Sequence, residues 1–253
     1  MESSLMRAPT EVRMLIYEYL FDDGGHESFS IRNGRAGKLP KCAGRTRSRY
    51  YVLDRSFHRR CYDTTYRLHT EGATFCPALM RVNKTVYEET SYLVYGGHSF
   101  DFGSDIEAVE PFLADLTART RELIQEISLY KRGPVTIYEN DRAEWRNVCD
   151  SLRSHTSLRK LRLVVQGGRP NVPWEGPKEF SAEDFQLLAG IRHESLEWTA
   201  DLGKLEGIKE LEIVGDVQCC AAPNSSNMVV FAAFSASIER GLAEFLRRML
   251  HLS

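Results

Sequence analysis

Residues 158–163 read Leu-Arg-Lys-Leu-Arg-Leu, and the alternation of Leu161 and Leu163 with charged residues is typical of a strand with one buried side. Together with Leu152 and Leu158, these leucines follow spacings of 6, 3 and 2 residues. The same spacing occurs twice more, with alanine in the first place of one copy: Leu202, Ile208, Leu211 and Ile213, and Ala118, Ile124, Ile127 and Leu129. Residues two apart on a strand face the same side. The three units therefore predict adjacent strands of one sheet, on which Leu161, Leu163, Leu211 and Ile213 are buried and Ile127 and Leu129 lie nearby.

A helical segment precedes each of these strands, at residues 105–117, 141–154 and 181–191. Helix-then-strand units used in series predict an α/β fold, with α+β as the alternative, built from irregular leucine-rich-repeat-like αβ units with the helices on one face. The offsets between units are 34 and 50 residues, so ordinary alternation of helices and strands remains an alternative interpretation. A final helix over residues 228–251 is expected to close the open end of the sheet.

The N-terminal segment predicts an amphipathic helix after Pro9, with Thr10 as its cap. Its apolar residues fall on one helical face: Val12, Leu15, Ile16, Tyr19 and Leu20. A second helical block begins near Pro77 and ends at Gly96-Gly97. We expect Leu15 and Ile16 to make apolar contacts, either in the core or at a protein interface.

Charge is distributed unevenly although the net charge is only −2. Residues 31–69 hold eleven lysines and arginines but only Asp54 and Asp63 as acids. This composition, without a sustained helical or strand period, predicts that residues 32–67 form a poorly packed basic insertion outside the core, within a long loop or loose hairpin over about 26–75. If the insertion binds an acidic or nucleic-acid partner, the candidate residues are Arg45, Arg47, Arg49, Arg59 and Arg60; a solvated loop against the acidic body is the favoured interpretation.

The sequence predicts no enzyme, cofactor or metal site. Gly-x-Ser-x-Gly, Ser-x-x-Lys and glycine-rich phosphate loops are missing, and no Cys-x-x-Cys pair anchors the scattered Cys42, His58, Cys61, His69 and Cys76 as a zinc site. No secretory signal or apolar run of membrane-spanning length is visible, so we expect a cytoplasmic or nuclear protein with no membrane association. Trp174, in a proline-rich loop, is a candidate anchor for a protein partner.

Two stretches form recognisable motifs. Residues 8–20 read Ala-Pro-Thr-Glu-Val-Arg-Met-Leu-Ile-Tyr-Glu-Tyr-Leu, and residues 78–89 read Ala-Leu-Met-Arg-Val-Asn-Lys-Thr-Val-Tyr-Glu-Glu, followed by Leu93-Val94-Tyr95-Gly96 and Phe100-Asp101-Phe102. The first stretch resembles the opening motif of fungal F-box-like proteins, and the second resembles their second motif. The resemblance implies helices that dock on the adaptor subunit of a cullin-type ubiquitin ligase, while the C-terminal part holds a substrate. It implies these docking positions: Pro9, Val12, Leu15, Ile16, Tyr19 and Leu20, with Leu79, Val82 and Tyr87 completing the surface.

We therefore expect one body with an F-box-like helical part at residues 1–103 and an αβ-repeat part at residues 104–253. The expected function is a protein-interaction module, as a substrate receptor of a cullin-type ubiquitin ligase. The alternatives are a non-enzymatic accessory or regulatory protein and a binder of nucleic acid or acidic partners through residues 32–67.

Overall fold

The computed structural model describes residues 4–21, 28–35, 50–54, 59–69, 78–133, 139–174 and 179–252. The strands are β1 (Ser28–Arg35), β2 (Tyr50–Asp54), β3 (Arg59–His69), β4 (Ser99–Asp101), β5 (Glu126–Lys131), β6 (Lys160–Pro170) and β7 (Glu210–Cys220). The helices are α1 (Ser4–Arg7), α2 (Thr10–Phe21), α3 (Lys84–Gly96), α4 (Val109–Asp115), α5 (Ala118–Leu123), α6 (Glu139–His155), α7 (Ala182–Gly190), α8 (Thr199–Leu202), α9 (Ser226–Ala236) and α10 (Ala243–Met249). Among the described helices, none has the length and apolar character to cross a bilayer. The fold is mixed α/β, as the sequence predicts.

The seven strands of the described residues belong to one sheet, in the order β2-β3-β1-β4-β5-β6-β7. Strands β1, β4, β5, β6 and β7 pair in parallel, whereas β3 pairs antiparallel with both β1 and β2. From β4 to β7 the spatial order follows the chain order. Each helix-then-strand unit therefore adds one strand beside the strand of the preceding unit.

The repeated spacing corresponds to one register across three strands. Ile127 on β5 pairs with Leu161 on β6, which pairs with Leu211 on β7. In the next row Leu129, Leu163 and Ile213 are aligned in the same way. All six side chains are buried, so the predicted side-by-side arrangement of these segments is confirmed.

Helices cover the side of the sheet that carries these leucines. Phe112 of α4, Trp145 of α6, Phe185 of α7 and Leu246 of α10 belong to the same buried cluster as Leu161. The opposite side is polar: Arg162 and Glu212, which alternate with the buried leucines, are 47% and 49% exposed. This one-sided cover is what alternating apolar and charged residues in the strands require.

The prediction of a basic insertion outside the core is wrong for the described part of residues 32–67. β1 lies inside the sheet between β3 and β4, with Phe29 and Ile31 buried. Thr65 of β3 is buried, and the Tyr66 ring packs edge-on against Phe112, with 5.4 Å between centroids. The described strands of this segment therefore form an edge of the sheet: β2 and β3, which are neighbours in the sequence, pair with each other, and β3 also pairs with β1.

The C-terminal helical segment packs closely on β6 at two glycines. A Cβ atom at Gly167 would lie 2.9 Å from Ile238 Cδ1, and one at Gly168 would lie 2.5 Å from Phe231 Cε1. Only residues without a side chain allow α9 to approach the strand this closely. A π-helical turn at Ile238–Leu242 then joins α9 to α10. The predicted helix over 228–251 is therefore present, with this turn inside it.

The helices on the covered side of the sheet start in different ways. Ser181 caps α7 and forms a capping box with Asp184, and the Phe180 and Phe185 rings meet edge-on at 5.8 Å. A 3₁₀ turn at Ile106–Ala108 leads into α4, and the preceding residue Asp105 makes no capping side-chain bond. The backbone leaves the sheet through a turn at Gly103, which has a φ of 49°.

Candidate functional site

Helix α2 is fixed to α3 through the side that carries Arg13, Tyr17 and Phe21, which are all buried. The Arg13 guanidinium forms an ion pair with Glu89 of α3, with Nε 3.1 Å from Oε2. Tyr17 donates a hydrogen bond of 3.1 Å to the same Oε2 atom. Arg13 also donates to the Ala8 carbonyl at 2.6 Å, so one arginine fixes both the start of the helix and its neighbour.

These contacts change the acidity of the groups involved. The hydrogen bond from Arg13 holds the pKa of the Glu89 carboxyl below its ordinary value, against the opposing effect of burial. Burial, followed by the bond to Glu89, raises the pKa of Tyr17. The ionised carboxylate is therefore the form that holds the two helices together.

Five large apolar residues of α2 outside this buried set are exposed. Leu15 and Tyr19, which lie opposite Tyr17 on the helix, are 65% and 83% exposed. Val12, Leu20 and Ile16 are 44%, 40% and 38% exposed. Pro9 is exposed at the start of the helix. We call these residues, Pro9, Val12, Leu15, Ile16, Tyr19 and Leu20, the α2 apolar surface. Of the two roles expected for Leu15 and Ile16, a place in the core is therefore wrong.

The three residues expected to complete this surface differ in their environments. Val82 is 63% exposed in the turn before α3. Leu79 is half-buried against the core. The Tyr87 hydroxyl lies 3.0 Å from Thr120 Oγ1 of α5. Leu79 and Tyr87 therefore make contacts within the chain, and of these three residues only Val82 is largely exposed to solvent.

The buried side of α2 was not identified from the sequence. Arg13, Tyr17 and Phe21 follow an i, i+4, i+8 spacing as regular as that of the apolar residues. A charged residue in the first position makes this side look solvent-exposed. The signal that could have revealed it is Glu89, an opposite charge on the second helical block with which an inward arginine can pair.

The open face of the sheet carries a network of ion pairs between neighbouring strands. Arg32 of β1 lies 2.7 Å from Asp101 of β4, and Lys160 of β6 lies 2.9 Å from Glu126 of β5. On the same face, Tyr130 donates a hydrogen bond of 2.8 Å to Asp216 of β7. Burial, together with this bond, raises the pKa of Tyr130 to about 12. On this face, acidic and basic or hydroxyl side chains of neighbouring parts of the sheet are thus paired with one another.

Trp174 lies beside a cleft at the carboxyl ends of β6 and β7. The cleft has a volume of about 640 Å³, and it lies between the loop that carries Trp174 and the end of α9 with the following π turn. Its lining includes apolar and small groups at Pro170, Val217, Ala232 and Ile238. Clefts of this size commonly hold a ligand or a side chain of a partner. The structure thus places Trp174 at a concave surface, far along the chain from α2.

The candidate anion-binding residues have side chains outside the described part of the structure. Arg45, Arg47 and Arg49 lie outside the described residues, and Arg59 and Arg60 begin β3 with side chains that are also outside them. The side chains of Cys42, His58, Cys61, His69 and Cys76 are outside them as well. Within the described part of the chain, no group of three or more His, Cys, Asp and Glu residues is arranged to hold a metal ion.

Comparison with known proteins gives one match. The family model of a domain of unknown function, DUF7730, matches residues 1–197, which include the α2 apolar surface and the strands up to β6. Neither the curated proteins nor the solved structures gave a match. Because the model covers well over half of the 253 residues, the chain belongs to the DUF7730 family.

Proposed function

We propose that this protein is an F-box-like protein-interaction module, which docks through the α2 apolar surface on the adaptor subunit of a cullin-type ubiquitin ligase. In this proposal the αβ-repeat part holds the protein to be modified, and the protein acts in the cytoplasm or the nucleus. The observation that carries the proposal is the exposure of Val12, Leu15, Ile16, Tyr19 and Leu20 on a helix whose other side is fixed to the core.

An amphipathic helix that turns its apolar side to solvent requires an explanation. Exposed apolar patches with polar surroundings mark interaction sites, because water contact with each large apolar side chain costs about 1.5–3 kcal/mol relative to burial. Four residues of α2 follow the i, i+3, i+4, i+7 pattern of a helix that inserts its anchors into a groove: Val12, Leu15, Ile16 and Tyr19. A partner surface therefore supplies the burial that the chain itself does not provide.

The contact between the two motif stretches also supports the proposal. Residues 8–20 and 78–89 are far apart in the sequence, yet Arg13 and Tyr17 of the first bind Glu89 of the second. The intervening strands β1, β2 and β3 extend one edge of the sheet without separating the two helices. The two stretches therefore form one unit, as an F-box-like docking element requires.

The test is a binding assay with the purified adaptor subunit. Leu15→Asp places a charge in the middle of the α2 apolar surface, and we expect it to abolish binding with an unchanged melting temperature. Leu187→Asp is the matched control, because Leu187 is a 70% exposed leucine on α7. It should bind the adaptor like the parent protein. Failure of the parent protein to bind, or full binding by Leu15→Asp, would overturn the proposal.

A further inference from the structure

Strand β7 forms an edge of the sheet, since among the described residues only β6 pairs with it. The Glu210 amide donates to the Arg159 carbonyl, and the Cys220 carbonyl accepts from the Asn171 amide, so both residues point toward β6. The Gly215 amide instead donates to a side chain, Glu239 Oε1, at 3.1 Å. Successive residues of a strand point their backbone groups to opposite sides. The amides and carbonyls of Gly215, Val217 and Cys219 are therefore directed away from β6.

Only the second half of this edge is open. Leu211 and Ile213 are buried as whole residues, so the first half is covered. From Val217 to Cys219 the strand is exposed, with Val217 at 43%. An exposed edge of this kind is a template for pairing with another extended segment. The Gly215 amide already donates a hydrogen bond to Glu239. This bond lies at the boundary between the covered half and the open half of the edge.

The cleft beside Trp174 lies on the helix side of this open edge. Gly215 and Val217 of β7 line it together with Pro170 and Trp174, and its lining also includes the charged residues Arg169, Glu179 and Arg240. On a strand added next to β7, every second side chain would point to this side of the sheet. A volume of about 640 Å³ accommodates large apolar side chains from such a strand.

The other side of the same edge carries polar groups. Asp216 and Gln218 of β7 alternate with Val217 and point to the open face, where each would be a cross-strand neighbour of an added segment. Asp216 accepts a hydrogen bond from Tyr130, but a carboxylate can accept further bonds. Opposite charges across neighbouring strands stabilise the pairing. Lysine or arginine therefore suits the positions of the added strand that face this side.

We propose that the open edge of β7 binds an extended segment of a partner protein in which apolar residues alternate with lysine or arginine. The backbone of the segment pairs with Val217 and Cys219, its apolar side chains enter the Trp174 cleft, and a cation lies beside Asp216. The inference rests on the proposed function, because it states which kind of segment the αβ-repeat part captures.

The probe is a fluorescein-labelled pool of nine-residue peptides with valine, isoleucine or phenylalanine at odd positions and lysine or arginine at even positions. It is titrated with the full chain in a fluorescence anisotropy experiment. A matched pool carries aspartate or glutamate at the even positions. A third pool is the basic one with alternate amides N-methylated, which removes backbone donors and leaves the side chains in place.

Two variants of the chain test the geometry. Val217→Pro removes the outward amide without touching the ladder to β6, a substitution that edge strands tolerate. Gln218→Lys leaves the backbone intact and places a cation beside the cations of the peptide, so it tests the proposal even if the proline variant folds poorly. Leu187→Asp again serves as the control.

We expect the basic pool to bind at least tenfold more tightly than the acidic and N-methylated pools. Val217→Pro should weaken binding at least tenfold, and Gln218→Lys should weaken it in low salt, with a smaller loss in high salt. Equal binding of the three pools, or unchanged binding by both variants, would overturn the proposal. The titration contains no adaptor, so this result is independent of whether the α2 apolar surface docks as proposed.

Discussion

Arg13 and Glu89 are 76 residues apart in the sequence, and the Arg13 Nε atom lies 3.1 Å from Glu89 Oε2. This ion pair determines which side of α2 faces the core. Because Arg13 and Tyr17 converge on one carboxylate, the helix is oriented with its apolar side outward. The proposed docking surface therefore depends on a polar contact on the opposite side of the same helix.

The first prediction concerns the pH dependence of this contact. Arg13 lowers the pKa of Glu89 in the folded protein, so the ion pair stabilises the fold above the unfolded-state pKa and is lost as pH falls through the folded-state value. Glu89→Gln should therefore destabilise the protein at pH 7, and its difference from the parent should shrink toward pH 3. Urea denaturation at pH 7, 5 and 3 measures this. Glu88→Gln, which removes a more exposed carboxylate, should have little effect at any pH. A constant Glu89→Gln deficit over the whole range would contradict the prediction.

The second prediction compares two neighbours on α2. Tyr17 is fully buried, and truncating a large buried aromatic residue to alanine costs about 3–5 kcal/mol. Leu15→Asp should change the free energy of unfolding by only about 0.5 kcal/mol, as is usual for exposed positions. Chemical denaturation of Tyr17→Ala and Leu15→Asp measures both. Strong destabilisation by Leu15→Asp would show that the apolar side of α2 packs within the chain.

The third prediction concerns the repeat. Leu161 is fully buried in the middle of the aligned rows, so Leu161→Ala should lower the free energy of unfolding by about 2–5 kcal/mol. The adjacent Arg162 points to the open face, and Arg162→Ala should cost only about 0.5 kcal/mol. Urea denaturation of the two variants tests the alternation. Similar costs at both positions would mean that the two faces of β6 are equally enclosed.

The fourth prediction concerns a buried ion pair at the end of β5. Lys131 Nζ lies 2.6 Å from Asp141 Oδ2 and 5.5 Å from the centre of the Trp145 ring, and both charged side chains are almost fully buried. Asp141→Asn leaves a buried cation without its partner, which typically costs about 3–5 kcal/mol. Adding Lys131→Met removes that cation and should restore most of the lost stability. A double variant as unstable as Asp141→Asn alone would contradict this explanation.

The same site has a pH signature. Burial lowers the pKa of Lys131, and Asp141 opposes that shift. Without Asp141 the pKa falls further, so between the folded and unfolded values the unfolded chain binds more protons and stability rises with pH. Asp141→Asn should therefore recover stability as the solution becomes alkaline. Denaturation curves from pH 7 to 10 measure the slope, and a slope equal to that of the parent would exclude this cause.

The repeat units were predictable because their signal is local. Leu161 and Leu163 alternate with charges within one strand, and the copies at Leu211 and Ile213 use the same spacing, so pairing partners could be matched without the structure. Strands β1 and β3 carry no such copy. Ile31 is buried because β4 and β3 enclose it, and these partners come from distant parts of the chain. The density of arginines nearby then favoured a loop.

The candidate surfaces were predictable to different degrees. Helical spacing identified the apolar residues of α2, but it could not show that Glu89 would draw the other side of the helix inward. Trp174 was identified from its loop, whereas the open edge of β7 was not. At that edge the Gly215 amide donates to Glu239, which lies 24 residues further along the chain, so no local sequence signal indicates the contact.

The chain-order arrangement of β4, β5, β6 and β7 also sets a distance across the sheet. Helix α3, which holds α2, leads directly into β4, while the open edge lies at β7, so the two proposed contact surfaces are at opposite ends of the series. Each αβ unit adds one strand spacing, about 4.8 Å, between them. In the proposed arrangement, the number of units, more than the sequence of any one of them, sets the distance between a segment bound at β7 and an adaptor docked on α2.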